Sequence, residues 1–382
     1  MSPPILTLRA LNRATLARQG LLEPLPDQPV ARLVERLGSL QAQHPDWPPL
    51  ALEARRTDRR KPVHLTTARR RKTIVRGALM RMTVHIVSAG DYWPMCTLTH
   101  PFRLEQFRAL FKVDPVTSPL GKRITRGHAA VLAAMAEQPL LIREIEDILR
   151  DQMGRVRVPP HRPLWRHFSG TVPLVHVPYA EETYGRARYL PAESWLGPPR
   201  PEEADPDQAA RHVARRYLGA FGPASVEDLV AYVGRGRNVG RWRAVVRAMT
   251  DELVTFHDES GRALVDLPEA PRPDPDTAAP PRLLARWDSL LLAYGTADRA
   301  RVLPPEHQAT VITKNADVLP TFLVDGMVAG TWLPKQAGDQ PRVELRPFGR
   351  LRAADREALE AEVDRLRPML GRGAYSRYPG TD

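Results

Sequence analysis

Apolar residues recur at helical spacing through most of the chain and give way to alternation toward its end. From Asp207 to Ala220, Ala210, Val213, Ala214 and Tyr217 fall on one face, which predicts a helix. Gly222 and Pro223 break it, and Ser225 is placed to cap a second helix through Glu227 and Asp228. That helix, SVEDLVAYV, is closed by Gly234. A third follows in NVGRWRAVVRAM, with Trp242, Val245, Val246 and Met249 facing inward. LVTFHDESGRALVDL then alternates on either side of Glu259–Ser260–Gly261, the mark of a hairpin.

Helix, helix, helix, hairpin is the order of a winged helix, although an unrelated helical bundle with a hairpin has the same order. It occurs twice more. GHAAVLAAMAEQP, LIREIEDILRDQ and PLWRHFSG lead into TVPLVHVPYA and ARYLP, while TLRALNRATLARQGLL and VARLVERLGSL precede LTTARRRKTIVRG and the strand-like LMRMTVHIVS. HPFRLEQFRALFKV reads as a connecting helix, and LGPPRPEEADPDQ and PEAPRPDPDTAAPPR as Pro-rich linkers. Beyond Arg282 the period becomes two. TVITK, PTFLVDGMVAGTW and RVELRPF predict strands, Asp325–Gly326 a tight hairpin turn, and AADREALEAEVDRLRPML a closing helix. The expected fold is α+β. Three tandem winged-helix modules occupy 1–118 (with the connecting helix), 119–200 and 201–277, and a β subdomain with its helix occupies 278–382.

Charge adds a partner to this picture. Lys and Arg outnumber Asp and Glu by 56 to 44, for a net +12, and only six of the 56 are lysines. A GC-rich genome accounts for the preference for arginine, since Pro is also abundant, but not for the net positive sign. A basic surface of planar guanidinium groups favours polyanions, nucleic acid first among them. One cysteine, Cys96, leaves no intramolecular disulfide framework and no multi-cysteine metal site. No apolar run approaches the roughly 18 residues of a membrane span, and the opening residues carry no secretory pattern. A cytoplasmic monomer that needs no cofactor or metal is the expectation.

Most catalytic patterns are missing. The eleven histidines form no HExxH, and His161, His167 and His176 are dispersed. The glycine-rich Gly234–Gly240 follows a helix instead of a strand and reads as a cap and turn. The segment GSLQAQHPDW is more informative. Val30, Leu33, Val34, Leu37 and Leu40 make an apolar stripe, Gly38 lets the helix loosen, and Pro45, Pro48 and Pro49 stop it continuing. On an extended segment Gln41 and Gln43 face one way and Ala42 faces inward; on a continuing helix the two amides diverge. The pair is therefore either two carboxamides presented together or ordinary polar residues ending a helix.

QAQ after a leucine-striped helix, RMTVHIVSAGDYWP, RRYLGAFGPASVEDLVAY and LPTFLVDGMVAGTW, in that order, resemble the AlkZ-type DNA glycosylases. That family sits in the winged-helix superfamily that includes the YcaQ proteins. The resemblance runs from about Leu8 to Trp332 and weakens over the last fifty residues. It implies tandem winged helices on a β scaffold, C-shaped around a DNA channel, that remove bulky or crosslinking N7-alkylpurines, often in self-resistance to a genotoxic antibiotic. The family's Gln-aliphatic-Gln motif lands on Gln41, Ala42 and Gln43.

The resemblance makes double-stranded DNA carrying alkylated purines the partner, base excision the reaction, and Gln41 and Gln43 the catalytic pair. His44, Arg81 and His85 are candidate neighbours; Arg81 and His85 alternate along LMRMTVH, where His85 is equally suited to a packed, hydrogen-bonded role. The ARRRKTIVRG helix offers Arg69, Arg70, Arg71, Lys72 and Arg76 to phosphates. The Asp325–Gly326 turn serves either a scaffold or a groove. A non-enzymatic winged-helix regulator and a protein that sequesters the genotoxin itself are the alternatives.

Overall fold

A computed structural model describes residues 3–57, 63–111, 119–154, 164–178, 186–234, 239–315, 317–337 and 340–370. Helix and sheet are mixed. The chain divides into two compact units, one of Met1–Val63, Ala214–Tyr232 and Arg237–Asp382, the other of His64–Val213 and Val233–Gly236. The chain passes from the second unit to the first inside the helix Pro206–Phe221.

In the first unit, helix Leu8–Arg18 starts where Thr7 Oγ1 accepts a hydrogen bond from the Ala10 amide. A four-stranded antiparallel sheet runs Arg282–Leu284, Thr321–Val324, Met327–Ala337, Gln340–Pro347, and Trp332 Nε1 donates to the Leu284 carbonyl across it. The closing helix, Ala353–Leu370, buries Leu359, Leu366 and Leu370. Helix Val226–Val233 begins on a capping box in which Ser225 Oγ accepts from the Asp228 amide and the Asp228 carboxylate accepts from the Ser225 amide. Helix Val239–Arg247 follows with Trp242 and Val245 buried, then hairpin Val254–Asp258/Ala263–Asp266, whose first strand pairs in parallel with Ile5–Leu6.

The Asp325–Gly326 turn has both residues at positive φ, 46° and 80°. It docks on the first helix: Asn12 Nδ2 donates to the Gly326 carbonyl, and the Asp325 carboxylate accepts from Arg9 and Arg13. The turn is thus anchored to that helix. Expectations differ from the structure at three places in this unit. TVITK forms a short helix, Gln308–Val311, and a bridge from Ile312 to Val318, because the local chain reverses before a strand can extend. Arg282, read as the last residue of a linker, opens a strand, Arg282–Leu284. The stretch before it is pinned, since the Thr277 carbonyl accepts from Arg13 Nε and Arg272 pairs with Asp266.

In the second unit, helices Pro119–Glu137, Ile142–Met153 and Leu164–Thr171 enclose a core of Ile124, Val131, Ile145, Leu149, Phe168 and their neighbours. Ile145, Leu149 and Met153 recur every four residues, and their burial is what makes this short stretch helical. Strands Leu140–Leu141, Leu174–Val177 and Arg188–Pro191 close on that core. Leu174–Val177 also meets the hairpin Ile74–Ala78/Val84–Ser88 at Gly77↔Val175. The connecting helix is longer than expected, Ala89–Phe111, with Ser88 Oγ accepting from the Asp91 amide at its start. Part of the predicted linker after Leu196 is also helical, at Pro201–Ala204.

Candidate active site

The leucine-striped helix, Val30–Arg36, buries Leu33 and Val34, and Leu37 and Leu40 are buried beyond its end. Leu37 caps it, and the chain then turns at Gly38, whose φ is +78°. Two constraints select glycine here: the left-handed backbone, and a Cβ that would sit 3.0 Å from Phe221 and 3.1 Å from Ala220. Ser39 is gripped on both sides. Its carbonyl accepts from Ser289 Oγ at 2.6 Å, and its hydroxyl lies 3.0 Å from the Tyr232 hydroxyl. The chain leaves this clamp extended through Leu40–Gln41. The expected uncoiling therefore occurs.

The extended stretch takes in Gln41, while Gln43 follows it before the next helix. Gln41 is 9% exposed, Ala42 is fully buried and Gln43 is half-buried. His44 is buried, with Nδ1 3.0 Å from Asp46 Oδ2. Pro48 and Pro49 occupy the first turn of helix Trp47–Glu53, where a missing amide hydrogen costs nothing.

Gln41 lines a narrow cleft together with Gln19, Trp47, Arg55, Trp287 and Ser289, with room for about one water molecule. Beneath it Arg55 forms a doubly hydrogen-bonded pair with Asp288, at 3.0 and 2.7 Å. Asp288 also accepts from the Leu290 amide, capping the short helix that carries Ser289. Trp287, at φ +53°, turns the chain into this cap. Sequence reading missed Gln19, Arg55, Tyr232, Asp288 and Ser289. Ser39 and Ser289 are 250 residues apart, and no local pattern links them.

Arg81 and His85, in the second unit, do meet, with Nη2 and Nε2 3.1 Å apart. The wing expected to carry both as alternating strand residues is different, however: Arg81 sits in a tight turn at φ +51°, and only His85 is in the strand Val84–Ser88. The cause is local. The Arg81 backbone lies where a Cβ on Gly234 would be, 2.6 Å away, so the turn presses against a bare glycine. Burial, reinforced by the Arg81 charge, pushes His85 down to about 3. His85 is thus neutral, its Nδ1–H donating to the Thr83 carbonyl and its Nε2 accepting from Arg81.

The basic segment is not one helix. Leu65–Arg70 is helical, Lys72 has φ +56°, and Ile74–Ala78 is a strand. Arg69 is buried and its guanidinium donates to the His176 carbonyl; Arg76 is buried on the strand. Arg70, Arg71 and Lys72 are exposed. Burial pushes the Cys96 thiol up to about 12, so it is no nucleophile. Among the described residues no three metal-ligating side chains come together, and no helix is long and apolar enough to cross a membrane. His167 lies 3.1 Å from His128, and His161 is outside the described residues.

A family model described as DNA glycosylase AlkZ-like matches residues 34–369. An interstrand DNA cross-link repair glycosylase from Streptomyces sahachiroi is 33% identical over 179 residues, which is 46% of this chain and 46% of that protein. The match therefore spans about half the length of that relative. The solved structure of Streptomyces sahachiroi DNA glycosylase AlkZ has the same fold, with a TM-score of 0.72 at 21% identity over 96% of this chain and 97% of that one. With the family model covering most of its length, this chain belongs to the AlkZ-like DNA glycosylase family.

Proposed function

We propose that the protein is a monofunctional DNA glycosylase that hydrolyses the N-glycosidic bond of bulky or crosslinking N7-alkylguanines in double-stranded DNA, in self-resistance to a genotoxin. One observation carries the assignment of the site: the helix before Gln41 opens at Gly38, and the chain emerges extended, clamped at Ser39, with Gln41 on a cleft. The family match supports the reaction class. The order of helices and hairpins supports three winged-helix modules bounded near 118, 200 and 277.

Alkylation at N7 puts a positive charge on guanine. When the C1′–N9 bond breaks, its electron pair returns to the ring and the base departs neutral, so no general acid is required. What remains is to hold a water against C1′ while oxocarbenium character develops there, and positioning of that kind is worth several kcal/mol. Gln41 and Gln43 each offer one acceptor and two donor hydrogens. The water oxygen bonds to C1′ and its proton passes to solvent, because a neutral amide is no base. Activity is therefore confined to labile, already cationic adducts. Arg70, Arg71 and Lys72 are the phosphate contacts, being the exposed members of the basic segment.

Incubation with duplex carrying N7-alkylguanine should release the free modified base. Gln41→Ala with Gln43→Ala should lower the release rate by about two orders of magnitude or more, with duplex affinity within about twofold of the parent. A fully active double variant would remove the site assignment. A wild-type protein that binds duplex but frees no base would be a regulator instead.

A further inference from the structure

Gln19 and Arg55 line the same cleft as Gln41, and each carries a buried polar atom that finds no hydrogen-bond partner among the described residues: Gln19 Oε1 and Arg55 Nε. Their orientations are fixed. Gln19 Nε2 donates to the Ala220 carbonyl at 3.0 Å, which settles which end of that amide is oxygen. The Arg55 Nη atoms are committed to Asp288 and to the Ala51 carbonyl, so Nε–H is the donor left over. Gln19 is fully buried and Arg55 is 2% exposed. One atom is an acceptor and the other a donor, and buried groups of either kind are almost always paired, commonly through an ordered water.

We propose that Gln19 and Arg55 form a built site for one water, resting on the reading of Gln41 as catalytic. The water accepts from Arg55 Nε–H and donates one hydrogen to Gln19 Oε1. Its second hydrogen is directed to the Gln41 carboxamide, the other amide on the cleft. Contact with a guanidinium polarises the water and strengthens its donation. The bound water sets the orientation of Gln41 and so which of its ends meets the attacking solvent molecule. Gln19 and Arg55 are positioning residues; neither touches the reacting atoms. Gln19 is suited to this because the Arg18–Asp266 pair, beside it in sequence, holds the end of the first helix rigid.

A high-resolution crystal structure of the full chain should show a water about 2.7–3.2 Å from both atoms. Gln19→Leu should lose that water and lower kcat for base release about tenfold, with the duplex Kd unchanged. Gln19→Glu keeps an acceptor while giving up the tie to Ala220, and should restore most of kcat and the water. A dry cleft in the parent crystal overturns the inference, whatever the activity. So does a Gln19→Leu variant with parental kcat, or a Gln19→Glu variant as impaired as Gln19→Leu, which would assign the effect to the Ala220 tie. If the parent frees no base, the catalytic reading fails while the density still decides the water site.

Discussion

The two compact units differ in the ionisable groups that dominate their interiors. The first keeps charges and matches them: Arg18 with Asp266, Arg55 with Asp288, Arg286 with Asp317, each pair doubly hydrogen-bonded. The second contains buried imidazoles held neutral. His85 is pushed down to about 3, His128 and His167 to about 4, and His176 well below its usual range, in each case chiefly by burial. The contrast teaches where rigidity is placed. A buried ion pair adds little net stability against an apolar equivalent, yet removing one partner costs dearly, so it locks the geometry of its surroundings. Of these three, the two fully buried pairs flank the Gln41 cleft, through Gln19 and Ser289. Neutral histidines lock less and respond to pH.

The largest effect follows from unmatching a pair. Asp288→Ala leaves the Arg55 charge buried and uncapped, and should destabilise the protein by about 3–5 kcal/mol. The matched replacement, Arg55→Met with Asp288→Leu, should recover much of that loss in thermal melts while base release stays impaired, since Ser289 loses its cap and the cleft its guanidinium. If the apolar pair releases base at the parental rate, the ion pair does not set the site's geometry.

A smaller and more diagnostic effect is expected between about pH 7 and 5. A histidine whose folded pKa lies below 6.5 takes up its proton only on unfolding. Its contribution is whole above 6.5 and falls as pH drops toward about 4 for His128 and His167. Asp228, in the first unit, runs the other way. Burial, with Asp298 beside it, pushes its carboxyl up to about 7 against 3.8 for the free group, so the folded state holds that proton and gains as pH falls through the window. Asp298 and Asp325 are held low and enter only under stronger acid. Hydrogen exchange should therefore show protection dropping in the second unit and not in the first. Equal loss in both would break the contrast.

Much of this was legible along the chain, and the failures have a common origin. The Ser225–Asp228 cap, the Asp325–Gly326 turn and the opening at Gly38 are local devices, each readable from a few adjacent residues. What could not be read depends on distant partners. Arg69 is buried because the His176 carbonyl, 107 residues away, accepts from it, and Arg81 turns left-handed against Gly234. The clamp on Ser39 draws one hydroxyl from position 232 and another from 289. Composition supplied the sign of the charge but not which arginines face solvent.

That last distinction sets the smallest expected effect. Exposed cations on a phosphate path should contribute by releasing counterions, each contact changing the slope of log affinity against log salt by about 0.9. Replacing Arg70, Arg71 and Lys72 together with Gln should flatten the slope for duplex binding by up to about three and leave the melting temperature nearly unchanged, though Lys72 also sits 4.7 Å from the Trp195 ring. Arg76→Gln should do the reverse, costing stability while leaving the slope alone, because a buried guanidinium has no condensed counterion to displace. Should Arg76→Gln flatten the slope as much as an exposed substitution, burial would not be what separates scaffold cations from binding ones, and Arg69 would return to the list of phosphate contacts with it.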